Sequence, residues 1–210
     1  MIAVDKPAGM VVHRGWARDT TTVYDHVRDE IIGAPVYAIH RLDRGTSGVL
    51  VFALDASAAQ WLQTQIAEGA VDKRYIALVR GPMPDRWFVH HPIKQPPMGD
   101  RVIATTEFTP LAQAPADRWT LVEARPLTGR THQIRLHLSH LRHPIVGDVK
   151  HGKGDINRLF REKFNFNRMA LHARSLSIPH PDGKRRLEIE APLPDDLRSV
   201  LDALRMDFSY

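Results

Sequence analysis

The sequence predicts an α+β fold with a central antiparallel or mixed β-sheet and flanking helices. Strand-like stretches outnumber helical ones, and the two kinds do not alternate regularly as a doubly wound parallel sheet requires. The 210 residues, 43% of them hydrophobic, suffice for one real core, so the expected organisation is a single, bilobed domain over residues 1–210.

The elements follow in chain order. Residues 4–13 read as a short strand, a Pro-Gly turn and a second strand. A helix is expected over residues 20–32, because Val23, Val27 and Ile31 recur at helical spacing behind a threonine cluster and Gly33 stops it. Residues 48–54 form an apolar strand. Asp55 then caps a helix that presents Ala58, Trp61, Leu62 and Ile66 on one face and ends at Gly69. Residues 73–80 alternate as a half-buried strand does. The proline-rich stretches 82–97 and 110–115 read as long surface connections. A strand over 119–125 precedes a Gly-containing turn and a helix whose apolar stripe is Ile134, Leu138 and Leu141, with Arg135 and Arg142 on a polar face. Strands at 171–178 and 186–191 and a closing helix behind Pro194, with Leu197, Val200, Leu201 and Leu204 in one stripe, complete the chain.

Composition excludes several chemistries. With no cysteine there is no disulfide framework, thiol nucleophile or cysteine zinc site. The longest clean apolar run, residues 49–54, is far short of the ~20 residues that span a bilayer, and no secretory segment opens the chain, so a cytoplasmic protein without membrane contact is expected. Glycines occur singly, in neither GxGxxG nor GxxxxGK[ST], and no GxSxG elbow marks a hydrolase. The chain has 12 histidines, and His132, His137, His140 and His143 lie close together, but their spacings of three and five do not suit a helical metal site. No metal is expected. The net charge of +5 is unevenly placed: residues 125–163 hold nine basic and three acidic residues, and the rest of the chain holds 20 and 21. That strip suits a polyanion.

Three segments carry candidate chemistry. Residues 40–48, HRLDRGTSG, set one carboxylate between two arginines beside glycines that let backbone approach a ligand, a plausible site for anion-assisted chemistry. Read alone, the same residues also describe a solvated turn with weak surface ion pairs. Residues 126–138 could set an arginine against a carboxylate or a phosphate, or form a basic surface helix. Residues 4–13 by themselves suggest only a turn.

Taken together, VDKPAGMVVHRG, HRLDRGTSGVLVFA and PLTGRTHQIRLHLSHLRHPIVGD, with KRYIALVRG between the last two, resemble the ordered motifs of RluA-type pseudouridine synthases. HRGW, HLRHPIVGDVKHG and RMALHA are similar to the branch of that family that modifies uridine 65 of tRNA, and Lys150-His151-Gly152 stands where many relatives have an aromatic. The resemblance implies isomerisation of a specific uridine to pseudouridine, most of all in tRNA, by breaking the N-glycosidic bond, turning the base and rejoining it through carbon 5, with no cofactor. A ribosomal RNA target, or a catalytically idle RNA-binding or RNA-folding factor, are the alternatives. By the same resemblance Asp43 is the catalytic residue, bonding covalently to sugar or base or stabilising a developing oxocarbenium. Arg135 is its expected arginine partner, and Tyr75 stacks on the flipped base. Arg41 fills the space the base vacates, and Ile134 packs on its other side. Arg44, Arg130, His132, Lys150, Lys153 and Arg158 are the remaining expected RNA contacts. The KPAG motif begins at Lys6, leaving no room for an RNA-binding S4 module before it, and a monomer without an obligate protein partner is expected.

Overall fold

β3 (Ser47–Ala53) in the computed structural model is buried at every residue, as the apolar run predicts for a strand covered on both faces. The structure describes residues 1–14, 21–95, 99–115, 118–180 and 184–208. In chain order, the elements before β3 are β1 (Ile2–Lys6), α1 (Val23–Asp25), continuing as a π-helical stretch His26–Ile32, and β2 (Tyr37–Ala38). After β3 come α2 (Ala56–Ala67), β4 (Asp72–Arg80), β5 (Trp87–Lys94), β6 (Arg101–Gln113), β7 (Trp119–Pro126), α3 (Gln133–His140), α4 (Gly154–Phe164), β8 (Leu171–Pro179), β9 (Arg186–Glu190) and α5 (Asp195–Ala203). Among the described residues no helix is long and apolar enough to cross a membrane. The chain divides into two units, Met1–Asp72 with Ala173–Pro192 and Lys73–His172 with Leu193–Tyr210, each with its own hydrophobic core.

In the first unit β1 and β2 pair antiparallel with β3, which neighbours β8, and β8 pairs antiparallel with β9. Val49, Val51 and Ala53 of β3 pack with Leu62 of α2 and with Leu176 and Ile178 of β8. Asp55 caps α2, accepting from the Ala58 amide at 2.8 Å. The strand expected after the Pro-Gly turn does not form. Instead the Val11 and Val12 carbonyls accept from the Val23 and Tyr24 amides, so this backbone satisfies donors that the first helical turn cannot pair internally. That helix opens on a capping box between Thr22 and Asp25 and closes at Gly33 in the left-handed region. Of the stretch expected to start it, residue 20 lies outside the described residues.

In the second unit the strand order is β4-β7-β6-β5, with all three ladders antiparallel. Two expectations are corrected. Ile76, Ala77, Leu78 and Val79 of β4 are all buried rather than alternating, because the strand is covered on both faces. The proline-rich stretches are not mainly loops: they supply the β5–β6 hairpin. Proline is compatible with these strands because β5 is the edge strand of this sheet, where Pro92 withholds no central ladder bond, and Pro110 sits where the β6–β7 register shifts. In α4, Ile156 and Phe160 face the core while the flanking basic residues are exposed. Among the described residues, the nine strands and five flanking helices are the α+β fold read from the sequence.

Candidate active site

Asp43 is half-buried in the loop between β2 and β3, flanked by exposed Arg41 and Arg44 and anchored by buried Leu42. The Thr46 amide donates to the Asp43 carbonyl at 3.0 Å and closes the turn. Behind the loop, the fully buried Lys6 ammonium donates to the carbonyls of Pro7 at 2.8 Å, Met10 at 2.7 Å and Arg44 at 3.4 Å. The Gly9 amide also donates to the Arg44 carbonyl, at 2.7 Å. Two of these four hydrogen bonds reach the Arg44 carbonyl, so the KPAG turn braces the residue next to Asp43. His40 Nε2 accepts from the Val51 amide at 3.2 Å, so that nitrogen carries no proton. Gly48 takes φ +110°, and a Cβ there would stand 2.1 Å from the Ala173 carbonyl oxygen; only glycine allows β3 to run this close to β8.

In the second unit, Tyr75 is half-buried on β4 opposite Ala124 of β7. Arg135 of α3 is buried rather than on a polar face, and Arg142 falls beyond the helix at φ +66°. Its Nε and Nη2 edge pairs bidentately with Asp148, at 2.7 and 2.9 Å. Asp148 Oδ1 also accepts from the amides of Lys150 at 3.0 Å and His151 at 2.9 Å. Burial pushes its carboxyl pKa up, but the Arg135 hydrogen bond, the His151 amide and the charge of Arg135 outweigh it and hold the group below its ordinary value. Asn157 fixes the turn, donating to the Asp148 carbonyl at 3.0 Å and accepting from the Gly147 amide at 2.8 Å.

The loop before α3 is held by buried Gln133. Its Oε1 accepts from the Thr128 hydroxyl at 2.7 Å and the Arg130 amide at 3.0 Å; its Nε2 donates to the Thr105 carbonyl at 2.8 Å and the Thr106 hydroxyl at 2.9 Å. Thr106, having accepted from Gln133, donates to His137 Nδ1 at 2.9 Å, which leaves the proton on Nε2 facing the His91 carbonyl at 3.3 Å. Burial foremost pushes His137 below the ordinary histidine value, and the ring is neutral. His132, at the N-cap of α3 with φ 55°, shares one N–H with His151 at 3.1 Å.

The other expected contacts are distributed by exposure. Arg130, Lys150, Lys153 and Arg158 are exposed, His132 is half-buried, and Ile134 is 7% exposed within the core of the second unit. Within the basic strip, Arg135 pairs with Asp148 and Arg125 lies 3.6 Å from Glu107. Among the described residues no three metal-ligating side chains gather. The sequence reading missed Lys6, Gln133, Asn157 and the role of Asp148. Asp148 had a signal, since it is the one acid of the last motif, but it was counted against the strip's charge.

Residues 1–140 match the model of the RNA pseudouridylate synthase family. The chain belongs to that family. It is 39% identical to tRNA pseudouridine synthase C of Vibrio parahaemolyticus serotype O3:K6, over 98% of this chain and 92% of the relative. It is 40% identical to tRNA pseudouridine synthase C of Vibrio cholerae, over 96% and 91%. Among solved structures it is similar to human RNA Pseudouridylate Synthase Domain Containing 4, with TM-score 0.80 and 27% identity over 99% of this chain and 91% of that one. The protein is an RNA pseudouridine synthase, an isomerase.

Proposed function

We propose that the protein isomerises a uridine of tRNA, at position 65, with Asp43 as its catalytic carboxylate. The observation that carries the RNA assignment is the likeness, over nearly the whole chain, to relatives named tRNA pseudouridine synthase C. Asp43 is supported by its place in the HRLDRG motif and by the bracing of its loop through Lys6 and Gly9. A carboxylate held on a fixed backbone meets the positive charge that develops at the sugar carbon when the glycosidic bond breaks. Tyr75 receives the flipped base, whose extrusion costs a few kcal/mol and is offset by stacking. Arg135, oriented by Asp148, supplies the positive charge that favours an ionised carboxylate. Arg41 fills the vacated stack, Ile134 lies against the other face of the base, and Arg44, Arg130, His132, Lys150, Lys153 and Arg158 address the RNA backbone. The catalytic unit works as a monomer in the cytoplasm, without a cofactor.

The test is tritium release from tRNA labelled at uracil carbon 5, followed by mapping of the product. The wild-type chain releases tritium and places pseudouridine at position 65; Asp43→Asn binds the same tRNA and releases none. An active Asp43→Asn protein overturns the mechanism, and product only in ribosomal RNA overturns the target.

A further inference from the structure

Lys73 stands two residues before Tyr75 on β4, so strand alternation puts both on one face, about 6.6 Å apart along the strand. It is half-buried, and among the described residues its ammonium meets no carboxylate, carbonyl or hydroxyl. Burial pushes its pKa below the ordinary lysine value, as desolvation without a counter-charge does. A polar group held in this way calls for a partner that the folded chain does not supply.

The surroundings of Lys73 say what that partner is. A Cβ on Gly129 would lie 3.8 Å from Lys73 Nζ, so the absent side chain leaves the ammonium uncovered on the side of the Thr128–Thr131 turn. The same turn carries exposed Arg130, whose guanidinium also has no acceptor among the described residues. Gln95 reaches the turn from the end of β5: its Oε1 accepts from the Thr131 amide at 3.3 Å, while its Nε2 is shut off from solvent with no acceptor among the described residues. The amides of Arg130 and Thr131 are already taken by Gln133 and Gln95, so what the turn offers is the two cationic side chains of Lys73 and Arg130. Two cations around one turn match a phosphodiester; a neutral base edge would leave the charge uncompensated.

We infer that Lys73, together with Arg130, binds a backbone phosphate of the RNA beside the nucleotide that Tyr75 receives. The assignment rests on the reading of Tyr75 given above. Lys73 holds the RNA in register while chemistry proceeds elsewhere, so it contributes to binding more than to turnover.

The experiment measures binding and isomerisation of unmodified tRNA transcript by the full chain across a salt series. Lys73→Ala is expected to raise KM and Kd about tenfold, change kcat less than about threefold, and reduce the slope of log affinity against log salt by about one. Lys73→Arg restores the slope, and Gly129→Val, which covers the ammonium, reproduces the alanine phenotype. Thermal unfolding of Lys73→Met is expected at or above the wild-type temperature, since an uncompensated charge is removed. Unchanged KM and salt slope in Lys73→Ala, or a loss confined to kcat, overturns the inference. Because the salt slope is read from binding alone, a wild-type chain that binds tRNA through Lys73 but forms no pseudouridine sinks the proposed function and leaves the phosphate site standing.

Discussion

Asp148→Asn separates the support of the site from its chemistry. Asparagine keeps the shape of the side chain, but its amide would meet Arg135 donor to donor, and the guanidinium, 10% exposed, would lose the charge of Asp148. Removing one member of a buried ion pair costs about 3–5 kcal/mol. The lower end applies, because asparagine retains an acceptor for the amides of Lys150 and His151. A loss of about 3 kcal/mol is roughly two powers of ten in the folding equilibrium, against a total of about 5–15 kcal/mol for a typical domain. Urea unfolding at pH 7 reads this directly, and tritium release should fall at least tenfold as Arg135 loses its fixed edge. The sign with pH is also set. A carboxyl held below its ordinary value stabilises the fold above the unfolded pKa near 3.9, and that contribution is lost as pH falls through the folded value. The wild type should therefore lose stability over that acid range more steeply than Asp148→Asn. Replacing both partners, Arg135→Met with Asp148→Leu, should cost less in stability than the two single changes combined. If Asp148→Asn costs under about 1 kcal/mol and leaves tritium release intact, the pair does not organise the site.

Two further outcomes are expected. Gly48→Ala at φ +110° carries about 1–3 kcal/mol of backbone strain before the overlap with the Ala173 carbonyl is relieved, so the first unit should lose over 3 kcal/mol in urea or fail to accumulate as soluble protein; wild-type stability would contradict the close approach. His137 is held below its ordinary pKa, so its contribution to stability is complete above about pH 6.5 and declines as pH falls below it; melting temperatures between pH 7.5 and 5 should fall less steeply in His137→Leu than in the wild type.

What the sequence made legible, and what it did not, follows from the range of the forces involved. α2 and α5 were readable because an N-cap or opening proline, an apolar stripe and a stop all lie within one local window. The β5–β6 hairpin was not, because proline signals a break unless the strand lies at an edge or a register shift, and that is decided by the neighbours. At the candidate site, the motif order marked Asp43, Tyr75 and Arg135, while the groups that hold them were hidden. Lys6 looks like a surface lysine until its three carbonyl partners are seen, one of them 38 residues away. Gln133 looks like an exposed helix residue until its four bonds are counted. Lys73 was passed over because its neighbour Tyr75 carried the resemblance, and what distinguishes it is the missing side chain at Gly129, a position remote in sequence.

The Lys6 ammonium grips the main-chain oxygens of Pro7, Met10 and Arg44. The Met10 side chain takes no part in those bonds, while Arg44 Nη1 also donates to the Gly9 carbonyl at 3.5 Å, so the ammonium and this guanidinium hold the turn together. Related chains built this way can change which RNA they grasp, residue by residue beside Asp43, without moving the carboxylate. Substrate choice can change at side chains beside Asp43 while Lys6 holds the main chain of the loop in place.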